Sequence, residues 1–254
     1  MSWAELVDGG SASLRASPLE TDRFGVGVDR LTVPRGSSTE AGEILELIGS
    51  STADVVVMRY PADRVELFAR LVAGGRRTVL LADTLVYWRL AVGAGARPEP
   101  DPELDVAPRD LDPATVRELV ADMFAGYSNH YRANPLFDVA RALAGYQEWA
   151  LRSATTAPPV VVSRHGAPIA LATTDRTEDV VEIELAGVVA AEQGRGVYGH
   201  LLAGVEDLAA RESHGAVVIS TQGHNTGVQR AWARYRFEPV ATFVTVHLVA
   251  DSAR

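Results

Sequence analysis

The chain contains no cysteine, and its basic residues are all arginine, 24 of them with no lysine among them. Without cysteine there is no disulfide framework, no thiolate nucleophile and no cysteine-ligated zinc. Without lysine there is no Schiff-base chemistry, no lysine general base and no phosphate loop of the lysine-dependent kind. Arginine still serves phosphate, because its planar fork binds bidentately. Positive charge is also in deficit: 33 acidic residues give a net charge of −9. That argues against nucleic acid as the main partner. No apolar run approaches the ~18 residues of a membrane helix. Met1 to Gly10 lacks the basic cluster of a signal peptide. The expectation is a cytoplasmic protein with no membrane, nucleic-acid or metal partner.

What is present suits one large domain or two small ones: 254 residues, 47% of them hydrophobic. The first residues, to about position 17, are small and polar and read as a loose arm. Val26 to Val33 alternates like a strand, Thr39 to Ile48 is helical, and Asp54 to Tyr60 is a buried-type strand ended by Pro61. Ala62 to Ala73 is a second helix stopped by Gly74-Gly75, and Thr78 to Leu90 holds two short strands around Asp83. Ala94 to Pro108 is rich in Pro, Gly and acids and carries no apolar periodicity. The boundaries follow: a small α/β unit over 1–95, a linker over 96–108 and a second domain over 109–254.

In that second domain Asp112-Pro113 starts a helix through Phe124. Tyr127 to Pro135 is a polar, aromatic loop, Ala140 to Arg152 is helical, and a hairpin turns at Gly166. The stretch from Val180 to Leu202 organises the rest. Val180 to Leu185 is β-branched and partly alternating, and Val188-Val189 carries the strand on. Gln193-Gly194-Arg195-Gly196-Val197-Tyr198-Gly199 is a glycine-rich turn, and His200 leads into an amphipathic helix. Such a loop crowds backbone N–H groups around one point, and the helix aims its positive dipole end there. The product is an anion site suited to phosphate or pyrophosphate. It is not GxxxxGK[ST], because the lysine is missing, and it is not GxGxxG after a first strand.

Gln193-x-x-Gly196-x-Tyr198, just after Val188-x-Ala190-x-Glu192, resembles the acyl-CoA pyrophosphate loop of the GNAT acetyltransferase superfamily. That family's pattern is (Arg/Gln)-x-x-Gly-x-(Gly/Ala); here Tyr198 stands at the last small position and Gly199 follows. Asn225-x-x-Val228-x-x-x-Trp232-x-x-x-x-Phe237 resembles the family's Asn-x-x-Ala-x-x-x-Tyr-x-x-x-Gly-Phe. The element order β-α-α-β-β-β-α-β-α-β is also similar to that of the family. Over the whole chain, Leu19 to Gly25 and Tyr146-Gln147-Glu148-Trp149 resemble the two-domain dTDP-fucosamine acetyltransferase group, although Arg23 sits where a second phenylalanine is usual. The resemblance implies an α/β (α+β) chain. Its C-terminal GNAT fold has a mixed, mostly antiparallel sheet, preceded by a smaller α/β domain. It further implies N-acyl transfer from acetyl-CoA, or another acyl-CoA, to the primary amine of an amino sugar or nucleotide-linked deoxysugar. A homodimer is among the assemblies it allows. A non-sugar amine in natural-product assembly and a non-catalytic CoA-binding sensor stay open as alternatives.

Candidate residues follow by role. Val188, Val189, Gln193, Gly194, Arg195, Gly196, Val197, Tyr198, Gly199, His200, Asn225 and Trp232 are expected at the cofactor. Val188 or Val189 is expected to offer an N–H to the thioester oxygen. Glu182 and Glu184, two apart and on one strand face, are the candidate bases; the other reading is that both face water. Trp232 occupies the position of the family's general-acid tyrosine and has no useful acid pKa. Tyr235, one helical neighbour on, is the candidate replacement. Tyr127, Asn129, His130, Tyr131 and Asn134 are the candidate acceptor-binding group, or else a loop that caps its own backbone.

Overall fold

The computed structural model describes residues 3–7, 10–177 and 179–253. In chain order the elements are α1 (Trp3–Val7), β1 (Ser13–Ala16), α2 (Pro18–Phe24), β2 (Val28–Thr32), α3 (Ala41–Ser50), β3 (Val55–Pro61), α4 (Val65–Ala73) and β4 (Thr78–Ala91). Next come β5 (Leu104–Pro108), α5 (Pro113–Phe124), a 3-10 turn (His130–Ala133), α6 (Val139–Thr156), β6 (Val160–Arg164) and β7 (Ala167–Arg176). The chain continues through β8 (Val180–Val188), α7 (Val197–Arg211), β9 (Ala216–Gln222), α8 (Thr226–Arg234) and β10 (Glu238–Val249). The strands are mixed in direction and mostly antiparallel, as expected. Among the described residues no helix is long and apolar enough to cross a membrane.

The chain divides into two compact units, and each is assembled from separate stretches. The first takes 1–86, 128–142 and 241–254, and the second 87–127 and 143–240. This differs from the division expected from sequence. Leu104 to Pro108 is not linker but strand β5, paired antiparallel with β6. The C-terminal strand counts with the first unit, because Phe243 to Val249 pairs residue for residue with Pro61 to Val55. Thr78 to Ala91 is one long strand rather than two. The expected arm contains α1 and β1; its residues 1, 2, 8 and 9 lie outside the described ones.

In the first unit the strand order is β1-β2-β3-β10-β4, with β2 and β3 parallel across α3. Alternation sorts β3 cleanly. Val56, Met58 and Tyr60 face α3 and α4, while Val55 and Val57 face a cluster with Phe24, Tyr131 and Phe137. That second face also holds a polar network. Glu20 takes Arg30 at 2.6 and 2.7 Å, the Tyr131 hydroxyl at 2.7 Å and the Ser17 hydroxyl at 2.7 Å. Burial opposes its ionisation, but the charge and hydrogen bonds of Arg30, with those of Tyr131 and Ser17, hold its carboxyl at about 2. His130 Nδ1 lies 2.9 Å from His247 Nε2, with the rings 8% and 0% exposed. Burial, assisted by Arg59 and Arg30, keeps both histidines neutral: His247 falls to about 4 and His130 well below its usual value.

In the second unit the order is β4-β9-β8-β7-β6-β5. One face packs α7 and α8 through Leu201, Leu202, Val205, Trp232 and Phe237. The other packs α5 and α6 through Val116, Leu119, Val120 and Ala150. The Asp112 side chain caps α5 by accepting from the Ala114 and Thr115 N–H groups, both at 3.0 Å. Gly204 lets α7 settle on the sheet: a Cβ there would lie 2.5 Å from Val106 and 2.9 Å from Val160.

Two outcomes follow. Gly204→Ala should lower the melting temperature by the equivalent of about 1–3 kcal/mol, since stiff valines must give way; an unchanged melt would show that α7 shifts freely. The two histidines bind fewer protons folded than unfolded. Their contribution is therefore complete above the unfolded value near ~6.5 and is lost as pH falls towards the folded values, at up to about 1.4 kcal/mol per pH unit each. Stability measured by denaturant should fall between those limits, and His130→Phe/His247→Phe should flatten that slope. Equal slopes in the two proteins would remove the pair as the cause.

Candidate functional site

The site begins where a strand pair comes apart. β8 and β9 run parallel and pair from Val180↔Ala216 to Ile183↔Ile219, and there the ladder stops. Yet β8 continues to Val188 and β9 to Gln222. Beyond Ile183 the two strands face each other without a ladder, and their backbone groups on that side are open to a ligand. A bulge marks the same point. Across from β7, Thr173 pairs with Leu185 and Thr174 with Ile183, so Glu184 is the extra residue. The bulge reverses which face each side chain takes: Val181 and Ile183 pack on the α7 side, and Leu185 on the α5 side.

The register also decides which N–H the opening can use. The Val189 N–H donates to Ile169 O of β7 at 2.9 Å. Successive N–H groups of an extended strand point to opposite neighbours, so the Val188 N–H faces the side that β9 has left. Of the two expected donors, Val188 is the one available. Its carbonyl accepts from Gln193 Nε2 at 3.0 Å, which pins the start of the loop.

The loop then turns on two glycines. Gly194 has φ +76° and Gly196 φ +82°, where only glycine sits without strain, and a Cβ on either would meet nothing within 4 Å. Both therefore border open space. Gly196 is the N-cap of the 15-residue α7 and, having no side chain, leaves the helix N-terminus uncapped. The N–H groups of Gly194, Arg195, Gly196, Val197 and Tyr198 find no acceptor among the described residues. Together with the helix dipole they form an anion cradle. Arg195 is exposed at its rim, 3.6 Å from Glu192. Val197 is core, and Gly199 lies against the Pro98 ring. His200, in the first turn of α7, is half-buried.

Across the opening, the Asn225 side-chain amide donates to Thr221 Oγ1 at 3.0 Å. Tyr127 Oη lies 3.2 Å from the same oxygen and donates to Gln222 Oε1. Trp232 is 1% exposed, and its indole N–H donates to Tyr198 Oη at 3.0 Å. Burial pushes the Tyr198 phenol up to about 12; the Trp232 bond pulls the other way, and neighbouring Tyr127 adds to the rise. Glu184 is half-buried and accepts the Trp149 indole N–H at 3.0 Å; Glu182 is 9% exposed.

Other expected residues are committed elsewhere. The Tyr235 hydroxyl donates to Glu206 at 2.7 Å and is 3% exposed; burial and that carboxylate raise its pKa strongly. Glu206 also takes the Gly93 and Gly95 N–H groups at 2.8 and 3.1 Å. Tyr235 thus anchors a loop to α7 and is no free acid. Asn129, His130, Tyr131 and Asn134 are all buried in the first unit. Asn129 accepts the Tyr131 N–H, Asn134 the Leu136 N–H, Tyr131 bonds Glu20 and His130 bonds His247. Of that group only Tyr127 stands in the second unit with the cradle. Sequence reasoning passed over Thr221 and Gln222, which with Ser220 form the polar end of a strand that begins apolar.

The first unit contains a similar β-α-β piece, β2-α3-β3, and it is closed. Its parallel ladder runs through Thr32↔Arg59, and Val33 N–H still donates to Arg59 O. The α3 N-terminus is filled by its own capping box, with Glu43 accepting the Glu40 N–H at 2.9 Å. Two carboxylates there repel an anion.

No protein-family model and no curated protein matches the chain. Solved structures do. The chain is similar over 94% of its length to a GCN5-related N-acetyltransferase from Sphaerobacter thermophilus, covering 77% of that chain, at TM-score 0.63 and 16% identity. It is similar over 88% to a GCN5-related N-acetyltransferase from Kribbella flavida, covering 81% of that chain, at TM-score 0.57 and 15% identity. A tandem GNAT protein from the clavulanic acid biosynthesis pathway matches over 87% and 77% of the two chains, at TM-score 0.57 and 12% identity. At these identities the likeness establishes the fold, and the fold is that of the GCN5-related N-acetyltransferases.

Proposed function

We propose that the protein transfers an acetyl or other small acyl group from acyl-CoA to the primary amine of a small molecule. The observation that carries this is the joining of an anion cradle to a parted strand pair. The cradle suits a pyrophosphate, and the parted strands suit an extended, amide-bearing chain that bonds backbone groups as a strand would. Pantetheine is such a chain, and it ends in the thioester. The Val188 N–H then meets the carbonyl oxygen and stabilises the charge that develops there. Arg195 adds charge at the phosphate end.

The acceptor must be a neutral amine when it attacks. An ordinary α-amino group has a pKa near ~8, so a carboxylate suffices as base. Glu184 is the carboxylate assigned this role in our reading. It is the first β8 residue past the end of the ladder, and the Trp149 bond orients it while occupying one oxygen. Glu182 stands two residues behind. Holding both reactants supplies much of the rate, roughly 7–11 kcal/mol at best. Tyr127 is the remaining acceptor-side candidate beside the cradle. An amino-sugar acceptor rests on the sequence resemblance, whose Leu19 to Gly25 patch forms α2 and its left-handed glycine cap.

Acetyl-CoA at ~100 times its dissociation constant should stabilise the protein by about 2.7 kcal/mol, a rise of several degrees. Gly196→Glu should abolish that rise, because it places a carboxylate in the cradle; a rise that survives the change would sink the loop assignment. Glu184→Gln should slow CoA release with amine acceptors at neutral pH and recover at higher pH, where the amine is already neutral. A deficit that does not change with pH would remove Glu184 as the base.

A further inference from the structure

We propose that Tyr198 is a catalytic residue of this cleft: its hydroxyl, oriented by the Trp232 indole, donates a hydrogen bond to the sulfur that leaves the acyl-CoA. The inference rests on the acyl-CoA reading and adds a residue that reading leaves without chemistry. Two of the chain's departures from the family's pattern are Tyr198 in the loop and Trp232 on α8. The structure brings those two side chains together at 3.0 Å.

The direction of that bond matters. An indole nitrogen is a donor only, so the Tyr198 oxygen accepts and its own proton is left over. No described residue takes that proton. The two other tyrosines considered for this site have spent theirs, Tyr127 on Gln222 and Tyr235 on Glu206. Tyr198 is the second residue of α7, on the rim of the anion cradle. It neighbours Tyr127, whose hydroxyl sits on Thr221 and Gln222 at the open end of β9. The ring packs against the Trp232 core cluster, and its O–H neighbours Tyr127 at the parted end of the strand pair.

The chemistry balances without a proton from tyrosine. The amine nitrogen bonds the acyl carbon, and the carbon–sulfur bond breaks with its electron pair on sulfur. The nitrogen's proton passes to the carboxylate and on to water. The CoA thiolate leaves hydrogen-bonded to Tyr198 and takes a proton from water. A phenol pushed up to about 12 keeps its proton beside a thiol whose value is near ~8.5. Its part is donation of a hydrogen bond to an anion, the stronger kind of hydrogen bond.

The absence of cysteine makes the test clean, because a bound CoA supplies the only thiol in the complex. The ionisation of CoA held at saturation is followed by the ultraviolet absorbance of its thiolate across pH, in the native protein, Tyr198→Phe and Trp232→Phe. Native protein should lower the bound thiol's pKa by about one unit from ~8.5. Tyr198→Phe should return it to within a few tenths of the free value, and Trp232→Phe, which keeps the phenol but loses its holder, should fall between. Thermal shift with CoA reports binding separately. A native protein that binds CoA and shows the same thiol pKa as Tyr198→Phe overturns the proposal while leaving the acyl-CoA reading intact. A native protein that CoA does not stabilise overturns both. Should Tyr198→Phe not fold, a Trp232→Phe value equal to the native one overturns the proposal.

Discussion

Two parallel strands must satisfy each other's backbone, or something else must. In this protein β8 and β9 do so as far as Ile183 and Ile219 and then stop. The bulge at Glu184 turns β8 away and reverses its faces, so Leu185 packs under α5 while Ile183 packs under α7. One inserted residue thus does three things. It leaves the Val188 N–H without a ladder partner, sets Glu184 at the fork, and leads the strand's end into a loop whose own N–H groups find no acceptor among the described residues. The gap gives up backbone hydrogen bonds that a closed sheet would keep, leaving those groups to water or a ligand.

The first unit shows the alternative. Its β2-α3-β3 piece zips to the end and caps its helix with Glu40 and Glu43. Here burial goes into structure: a carboxylate with Arg30, Tyr131 and Ser17 around it, and two histidines sharing one hydrogen bond. Such buried polar groups add little net stability but are costly to leave unmatched. They fix how Ser128 to Ala142 and the C-terminal strand pack within that unit, and this is why Asn129, His130, Tyr131 and Asn134 serve the interior.

Tyr198 and Trp232 illustrate how two departures from a pattern are understood together. Each alone looks like a loss, a bulky ring in a tight loop and an indole with no acid. In space the indole N–H holds the phenol oxygen, and no described residue accepts the phenol's own proton. Tyr235 lies closer in sequence to the missing position. Its proton goes to Glu206 because three donors, Gly93, Gly95 and Tyr235, converge on that carboxylate.

The sequence by itself determined the local elements that depend on neighbours in the chain. The Asp112-Pro113 cap, the Gly166 hairpin, the strand–loop–helix from Val180 onward and the two glycines of the loop were legible because their causes lie within a few residues. The absent cysteine and lysine likewise excluded chemistry without any structure. Tertiary structure alone decided what depends on distant partners. Leu104 to Pro108 is a strand because β6 offers an edge, and the last strand joins the first unit because Val55 to Pro61 matches its register. Thr78 to Ala91 runs unbroken through Asp83 against its sequence pattern. Val188 rather than Val189 faces the opening because a bulge shifts the ladder, and no periodicity in β8 announces a bulge. Which tyrosine keeps its proton depends on an acceptor up to 95 residues away in the chain, where only the fold can place it.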